Sequence, residues 1–160
     1  MNVLVVSDVL PLTKQLVSII ETLTGGAIIT AGHRNNAFGR FCEFRPDLVV
    51  ADADMVAMNA IDLVRDIRHD PGSPDRKTPV ILLTAQTMAA RIERARDAGV
   101  TGLVTKPFSA NDLTKRITRV LTDPRAFIDG PAYVGPDRRR KIQSTYAGPL
   151  RRAADQKTRR

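Results

Sequence analysis

Four side chains suited to handling a phosphoryl group lie far apart in the chain, and each follows a short apolar run. Asp8 comes after Val3–Val6 and Ser7, Asp52 after Leu48–Ala51, Thr84 after Pro79–Leu83, and Lys106 after Gly102–Thr105. Two carboxylates brought close together repel unless a hard cation separates them, and oxygen-rich sites of this kind suit Mg2+. A lysine and a hydroxyl beside them can hold an added phosphoryl group. The set describes an aspartate that accepts phosphate while metal and ammonium neutralise charge during transfer.

For that chemistry the four residues must be neighbours in space, and the pattern between them says how. Five apolar, β-branched runs (Val3–Val6, Ala27–Thr30, Leu48–Ala51, Pro79–Leu83 and Gly102–Thr105) read as buried strands. Stretches of helical periodicity lie between and after them, the clearest being Leu12-Leu16-Ile19-Ile20-Leu23, Ile61-Val64-Ile67 and Leu113-Ile117-Val120-Leu121. Strand followed by helix, five times over, predicts an α/β fold with a doubly wound parallel sheet in one of a few strand orders. Ligands of such sheets sit outside the C-terminal strand ends, which is where the four residues fall. Ser109 caps the last helix and Asp123-Pro124 stops it.

Residues 1–122 resemble the CheY-like receiver domains of bacterial response regulators. The resemblance is carried by Val5-Val6-Ser7-Asp8, by Pro46-Asp47-Leu48-Val49-Val50-Ala51-Asp52 with Met55 and Met58 downstream, by Pro79-Val80-Ile81-Leu82-Leu83-Thr84-Ala85, and by Ala98-Gly99 leading to Lys106-Pro107-Phe108. It implies the flavodoxin-like, five-stranded form of the doubly wound sheet, Asp52 as phosphoacceptor, Asp8 and Asp52 as Mg2+ ligands with the backbone carbonyl of Asp54 completing the shell, Thr84 as the switch hydroxyl, Lys106 as the phosphate-binding cation, and a histidine kinase as partner. Three departures accompany it. Ser7 stands where the family usually has a second acid, which weakens the metal site. Leu103 stands where many receivers carry an aromatic side chain that rotates inward on activation. Val56 and Ala60 replace the usual Pro and Gly after the phosphoacceptor.

No glycine-rich phosphate loop follows the first strand, where Val9-Leu10-Pro11-Leu12 stands, so the chain reads as a signalling protein and not an enzyme. His33 and His69 read as surface residues, and Cys42, beside Phe38 and Phe41, as a packing residue. A single cysteine, no secretory leader pattern and no apolar run of spanning length fit a soluble cytoplasmic protein with no membrane insertion.

Charge divides the chain in two. Residues 123–160 hold ten Lys/Arg against four Asp, carrying +6 of the chain's +8. Seven Pro and Gly residues between Pro124 and Pro149 break any period, so this segment reads as an irregular basic tail that cannot build a core alone. It nevertheless repeats: Tyr133-Val134-Gly135-Pro136-Asp137-Arg138-Arg139 returns thirteen residues later as Tyr146-Ala147-Gly148-Pro149-Leu150-Arg151-Arg152. Arg outnumbers Lys eight to two there, which favours a ligand that uses a planar fork over one that needs only charge. Guanine offers O6 and N7 to such a fork and its N1 and N2 donors to a carboxylate such as Asp137.

A ligand with two guanines and two phosphates matches two such arms, and cyclic di-GMP has that constitution. Tyr133, Asp137, Arg138, Arg139, Arg140, Tyr146, Arg151 and Arg152 are the residues expected to bind it. A receiver with a short arginine-rich extension also resembles the CheY-like cyclic di-GMP effectors (Cle family) of flagellated alphaproteobacteria. That resemblance implies docking to a flagellar motor switch protein, control of motility or attachment, and recruitment to the flagellated pole. Two rival readings use the same residues. One is a phosphorylation-activated single-domain regulator with a nonspecific basic tail, docking through the face that bears Arg91, Arg94, Arg96, Lys115, Arg116 and Arg119. The other is a nucleic-acid-binding tail, against which the repeat and its Asp137 speak.

Overall fold

The computed structural model describes residues 1–138 apart from 33, 57, 58 and 124, and excludes the side chains of residues 34 and 35. Arg139, Arg140, Tyr146, Arg151 and Arg152 lie outside the described residues.

Side chains alternate across a strand, so a strand apolar at every position must be covered on both faces. The strand β1 (Val3–Val6) is fully buried along its length. It pairs in parallel with β2 (Ile28–Ala31) and β3 (Leu48–Asp52); β3 pairs with β4 (Val80–Thr84), and β4 with β5 (Gly102–Thr105). The resulting order β2-β1-β3-β4-β5 is the doubly wound arrangement expected from the sequence. Val3, Val5, Val50, Ile81 and Leu83 meet Leu16 and Ile20 of α1 (Leu10–Thr24) and Leu113 and Ile117 of α5 (Ala110–Leu121). On the other face Leu4, Val6, Val49 and Leu82 meet Phe41 of α2 (Arg34–Phe44), Leu63, Val64 and Ile67 of α3 (Ala60–His69), and Ala95 of α4 (Ala89–Asp97). Each such aliphatic side chain contributes about 1.5–3 kcal/mol by leaving water.

Local signals set the helix ends. Gly25, at φ 58°, ends α1, and its amide bonds the carbonyl of Glu21. Asn59 accepts from the amide of Ile61 at the start of α3. The Ser109 hydroxyl accepts from the amide of Asp112, whose carboxylate accepts from the amide of Ser109 in return. Ser109→Ala is expected to lower the unfolding free energy by about 1 kcal/mol. The check is the urea midpoint, and an unchanged midpoint would mean that the cap contributes nothing.

The segment after α5 departs from the irregular tail that its sequence suggests. Phe127–Gly130 (β6) and Tyr133–Pro136 (β7) pair as an antiparallel hairpin across a two-residue turn, Pro131-Ala132. Proline is suited to the first turn position because its φ is already set. Val134 is buried, the Tyr133 hydroxyl donates to the carbonyl of Pro136 (2.8 Å), and the hairpin rests on Gly99 at the turn between α4 and β5. Arg125 anchors its entry by donating to the carbonyl of Thr101 (3.0 Å), and Arg138 anchors its exit through Asp97 at the end of α4.

Candidate functional site

The parallel sheet carries Asp52, Thr84 and Lys106 to the same end, because Asp52 and Thr84 close β3 and β4 and Lys106 directly follows β5. Ladder bonds continue one step past the strands: the Ala53 amide donates to Leu83 and the Lys106 amide to Thr84, both at 2.8 Å. The peptide bond between Lys106 and Pro107 is cis.

Asp52 is almost completely buried, and the Lys106 ammonium lies 2.5 Å from its Oδ1. The same oxygen accepts from the amide of Asp54 (2.9 Å). Charge-assisted bonds of this length are among the stronger ones and fix the orientation of the carboxylate. Asp54 is drawn in as well, although the sequence assigned it only a backbone role. Its carboxylate accepts from the Thr84 hydroxyl (3.0 Å) and the Ala85 amide (2.6 Å), and lies 3.3 Å from Lys106 Nζ. Burial pushes the Asp54 carboxyl up. The Ala85 amide, the Thr84 hydroxyl and the Lys106 ammonium outweigh that and hold it below the usual carboxylate range.

Asp8 follows β1, is exposed, and accepts from the amide of Val56 (3.2 Å), which ties it to the loop carrying Asp54. Ser7 is buried, and its hydroxyl accepts from the amide of Val9, so it serves its own loop. Among the described residues no group of three or more His, Cys, Asp or Glu side chains is arranged to hold a metal. The oxygen donors that remain, Asp8, Asp52 and the Asp54 carbonyl, suit a hard cation that keeps part of its water shell, as Mg2+ does.

Of the tail residues, the described Tyr133, Asp137 and Arg138 occupy the opposite end of the sheet. The hairpin covers the region where Thr78 precedes β4 and Gly99 to Thr101 precede β5, about 15 Å from the pocket along a four- to five-residue strand. The Arg138 guanidinium lies 4.0 Å from the Tyr133 ring centroid and pairs with Asp97. Asp137 donates its amide to the carbonyl of Ala126. Beneath the hairpin the structure adds a residue that the sequence did not single out. Arg68 is fully buried, donates Nε and one terminal nitrogen to Gly99 (3.1 and 3.0 Å) and the other to Arg76 and Thr78 (2.6 and 2.9 Å), and sits 5.6 Å from the Phe127 ring centroid. Burial lowers its pKa to about 10, against the raising influence of Tyr133 and Asp75.

Of the other singled-out residues, His69 is exposed and Cys42 packs against the core, its thiol pushed up by burial and by Asp70. Met55 is buried, while Met58 and His33 lie outside the described residues. Among the described residues no helix is long and apolar enough to cross a membrane.

A charged pocket at the C-terminal ends of β1, β3, β4 and β5 coincides with a family match. Residues 3–118 fit the response regulator receiver domain model. The chain belongs to the response regulator receiver family. Its similarity to the DNA-binding response regulator MtrA of Mycolicibacterium smegmatis is 31% identity over 116 residues, 72% of this chain and 48% of that protein. The phosphate regulon transcriptional regulatory protein PhoB of Pseudomonas aeruginosa is 26% identical over 164 residues, 89% of this chain and 70% of that protein. The chain thus spans about half the length of the MtrA proteins it matches. Among solved structures, the chemotaxis response regulator CheY4 of Vibrio cholerae superposes with a TM-score of 0.67 at 25% identity, covering 74% of this chain and 97% of that one. The receiver is therefore a two-component signalling module by family.

Proposed function

We propose that this receiver is switched by phosphorylation of Asp52. The supporting observation is the buried Asp52 carboxylate 2.5 Å from Lys106, with the Thr84 hydroxyl in the same hydrogen-bonded cluster. In the transfer step an Asp52 oxygen attacks the phosphorus of a phosphohistidine or a small phosphodonor. The bond from phosphorus to the leaving nitrogen or oxygen breaks, the leaving group keeps the electron pair and takes a proton from water, and an acyl phosphate remains. Lys106 follows the developing charge on the phosphoryl oxygens. Asp8, Asp52 and the carbonyl of Asp54 would hold Mg2+, which supplies further positive charge to those oxygens. The output surface in this reading is the face formed by β5 and α5, where a cavity of about 350 Å3 is lined by Leu103, Phe108, Lys115, Arg116 and Arg119. Its cationic rim suits an acidic partner.

The test is incubation of the full chain with acetyl phosphate and Mg2+. An acid-stable, base-labile adduct is expected, lost in Asp52→Asn and on chelation of the metal. No adduct on the unaltered chain would overturn the reading.

A second reading concerns cyclic di-GMP, with altered docking to a flagellar motor switch protein as its consequence. It is favoured by the Arg138 guanidinium lying against the Tyr133 ring, the arrangement by which a tyrosine and an arginine would also sandwich a purine. In the hairpin both residues already have partners, Pro136 and Asp97, so the ligand would have to engage residues 139–160 or displace Asp97. Calorimetry with cyclic di-GMP, GMP and duplex DNA on the full chain and on one ending at Arg138 separates the possibilities. Binding of the dinucleotide by the full chain alone supports this reading, whereas preference for DNA or no binding removes it.

A further inference from the structure

We infer that the side chain of Asp54 is a built-in surrogate for the phosphoryl group: its carboxylate fills the anion site that a phosphoryl on Asp52 would occupy, and must be displaced for the transfer to finish. The inference rests on the reading of Asp52 as phosphoacceptor.

A phosphoryl group on Asp52 brings peripheral oxygens that need donors, and the donors within reach are few. The Thr84 hydroxyl and the Ala85 amide donate to Asp54 at 3.0 and 2.6 Å, and the Lys106 ammonium, bonded to Asp52 at 2.5 Å, also lies 3.3 Å from it. One carboxylate thereby takes a hydroxyl, a backbone amide and a cation together, the mixture of donors that an oxyanion demands. Asp54 is fixed for the task by its own backbone, since its amide donates to Asp52 Oδ1. The role assigned to Asp54 in the metal shell uses its carbonyl, which leaves the side chain free for the anion site.

The contact also reaches the segment that leads into α4. The Thr84 hydroxyl that donates to Asp54 accepts in turn from the amide of Gln86 (3.0 Å), so Thr84, Ala85 and Gln86 are ordered around one carboxylate. Two consequences follow. An incoming phosphoryl competes with an anion that is covalently present at high effective concentration. The inward position of the Thr84 hydroxyl is held by Asp54 before any transfer, so the difference between the two states of this loop is small. An alternative use of the same bonds is a passive anchor for the loop, and the two roles separate because only a surrogate competes.

The experiment uses the full chain labelled with 15N, unaltered and as Asp54→Ala and Asp54→Asn, each titrated with beryllofluoride and Mg2+ as the phosphoryl mimic. Asp54→Ala keeps the backbone carbonyl. The Ala85 amide should lose hydrogen-exchange protection in Asp54→Ala and regain it on beryllofluoride addition. Affinity for the mimic should rise at least tenfold over the unaltered chain, with Asp54→Asn between the two. Unchanged protection of the Ala85 amide overturns the inference. So does equal or weaker affinity in Asp54→Ala, while binding by the unaltered chain leaves the phosphoacceptor reading intact. Binding by none of the three chains overturns both.

Discussion

Arg68→Met is expected to destabilise the receiver by about 3 kcal/mol, which is large for a side chain remote from the Asp52 pocket. The magnitude follows from what the guanidinium holds together. It is fully buried, and its hydrogen bonds run to the carbonyls of Gly99, Arg76 and Thr78. Those carbonyls belong to the loop before β4 and the turn before β5, so one α3 side chain fastens two connections at the N-terminal end of the sheet. Bonds to a charged donor contribute about 1.5–3 kcal/mol each, and burying the guanidinium without a carboxylate partner takes back a large part. Methionine fills much of the volume but returns none of the bonds, leaving three carbonyls to find water. Arg68→Lys, with a point charge in place of a fork, should fall about halfway. Urea unfolding checks both. A loss under about 0.5 kcal/mol for the methionine variant, within the range seen for neutral surface changes, would show that water replaces the guanidinium without difficulty.

Arg68 also shows where the sequence stops being readable. An arginine in the last turn of a helix looks like an ordinary complement to the helix dipole, and nothing in its neighbours Ile67 and His69 marks it as buried. The five strands were legible because uninterrupted β-branched runs have no other stable use, and the observed bounds differ from the expected ones by one residue at most. Asp52, Thr84 and Lys106 were legible for the same reason: in a parallel sheet the residue that closes each apolar run is delivered to one edge. The Asp54 side chain was not, since a loop acid two residues past Asp52 carries no periodic signal and its partners are 30 to 52 positions away. The hairpin left only a faint trace, two apolar pairs around Gly130-Pro131, because it docks through glycine backbone with only Val134 and Pro136 buried beside it.

Docking through glycine gives the second large effect. Gly99 has φ +91°, and a Cβ placed there would lie 2.3 Å from the carbonyl oxygen of Val134 and 3.1 Å from Arg68 Nε. Gly135 approaches from the other side, so that a Cβ on it would lie 2.6 Å from the Cα of Gly99. Neither obstacle is the free end of a flexible chain. Gly99→Ala therefore combines backbone strain of about 1–2 kcal/mol with a steric demand that only lifting the hairpin relieves. Lifting it uncovers Phe127 above Arg68 and pulls Arg138 away from Asp97. A total loss of about 3 kcal/mol is expected, in the upper part of the range for point substitutions. Gly25→Ala separates the two causes, because Gly25 is also left-handed, at φ +58°, but has nothing within 4 Å of the added Cβ. It should cost only the strain, about 1–2 kcal/mol. Hydrogen exchange supplies the local readout: the Asp137 amide, bonded to Ala126, should lose protection in Gly99→Ala and keep it in Gly25→Ala, while the β3 amides stay protected in both. Equal losses from the two variants, with the Asp137 amide still protected, would mean that the hairpin and the turn before β5 do not support each other. The first copy of the tail repeat would then be tethered to the receiver by chain connectivity alone.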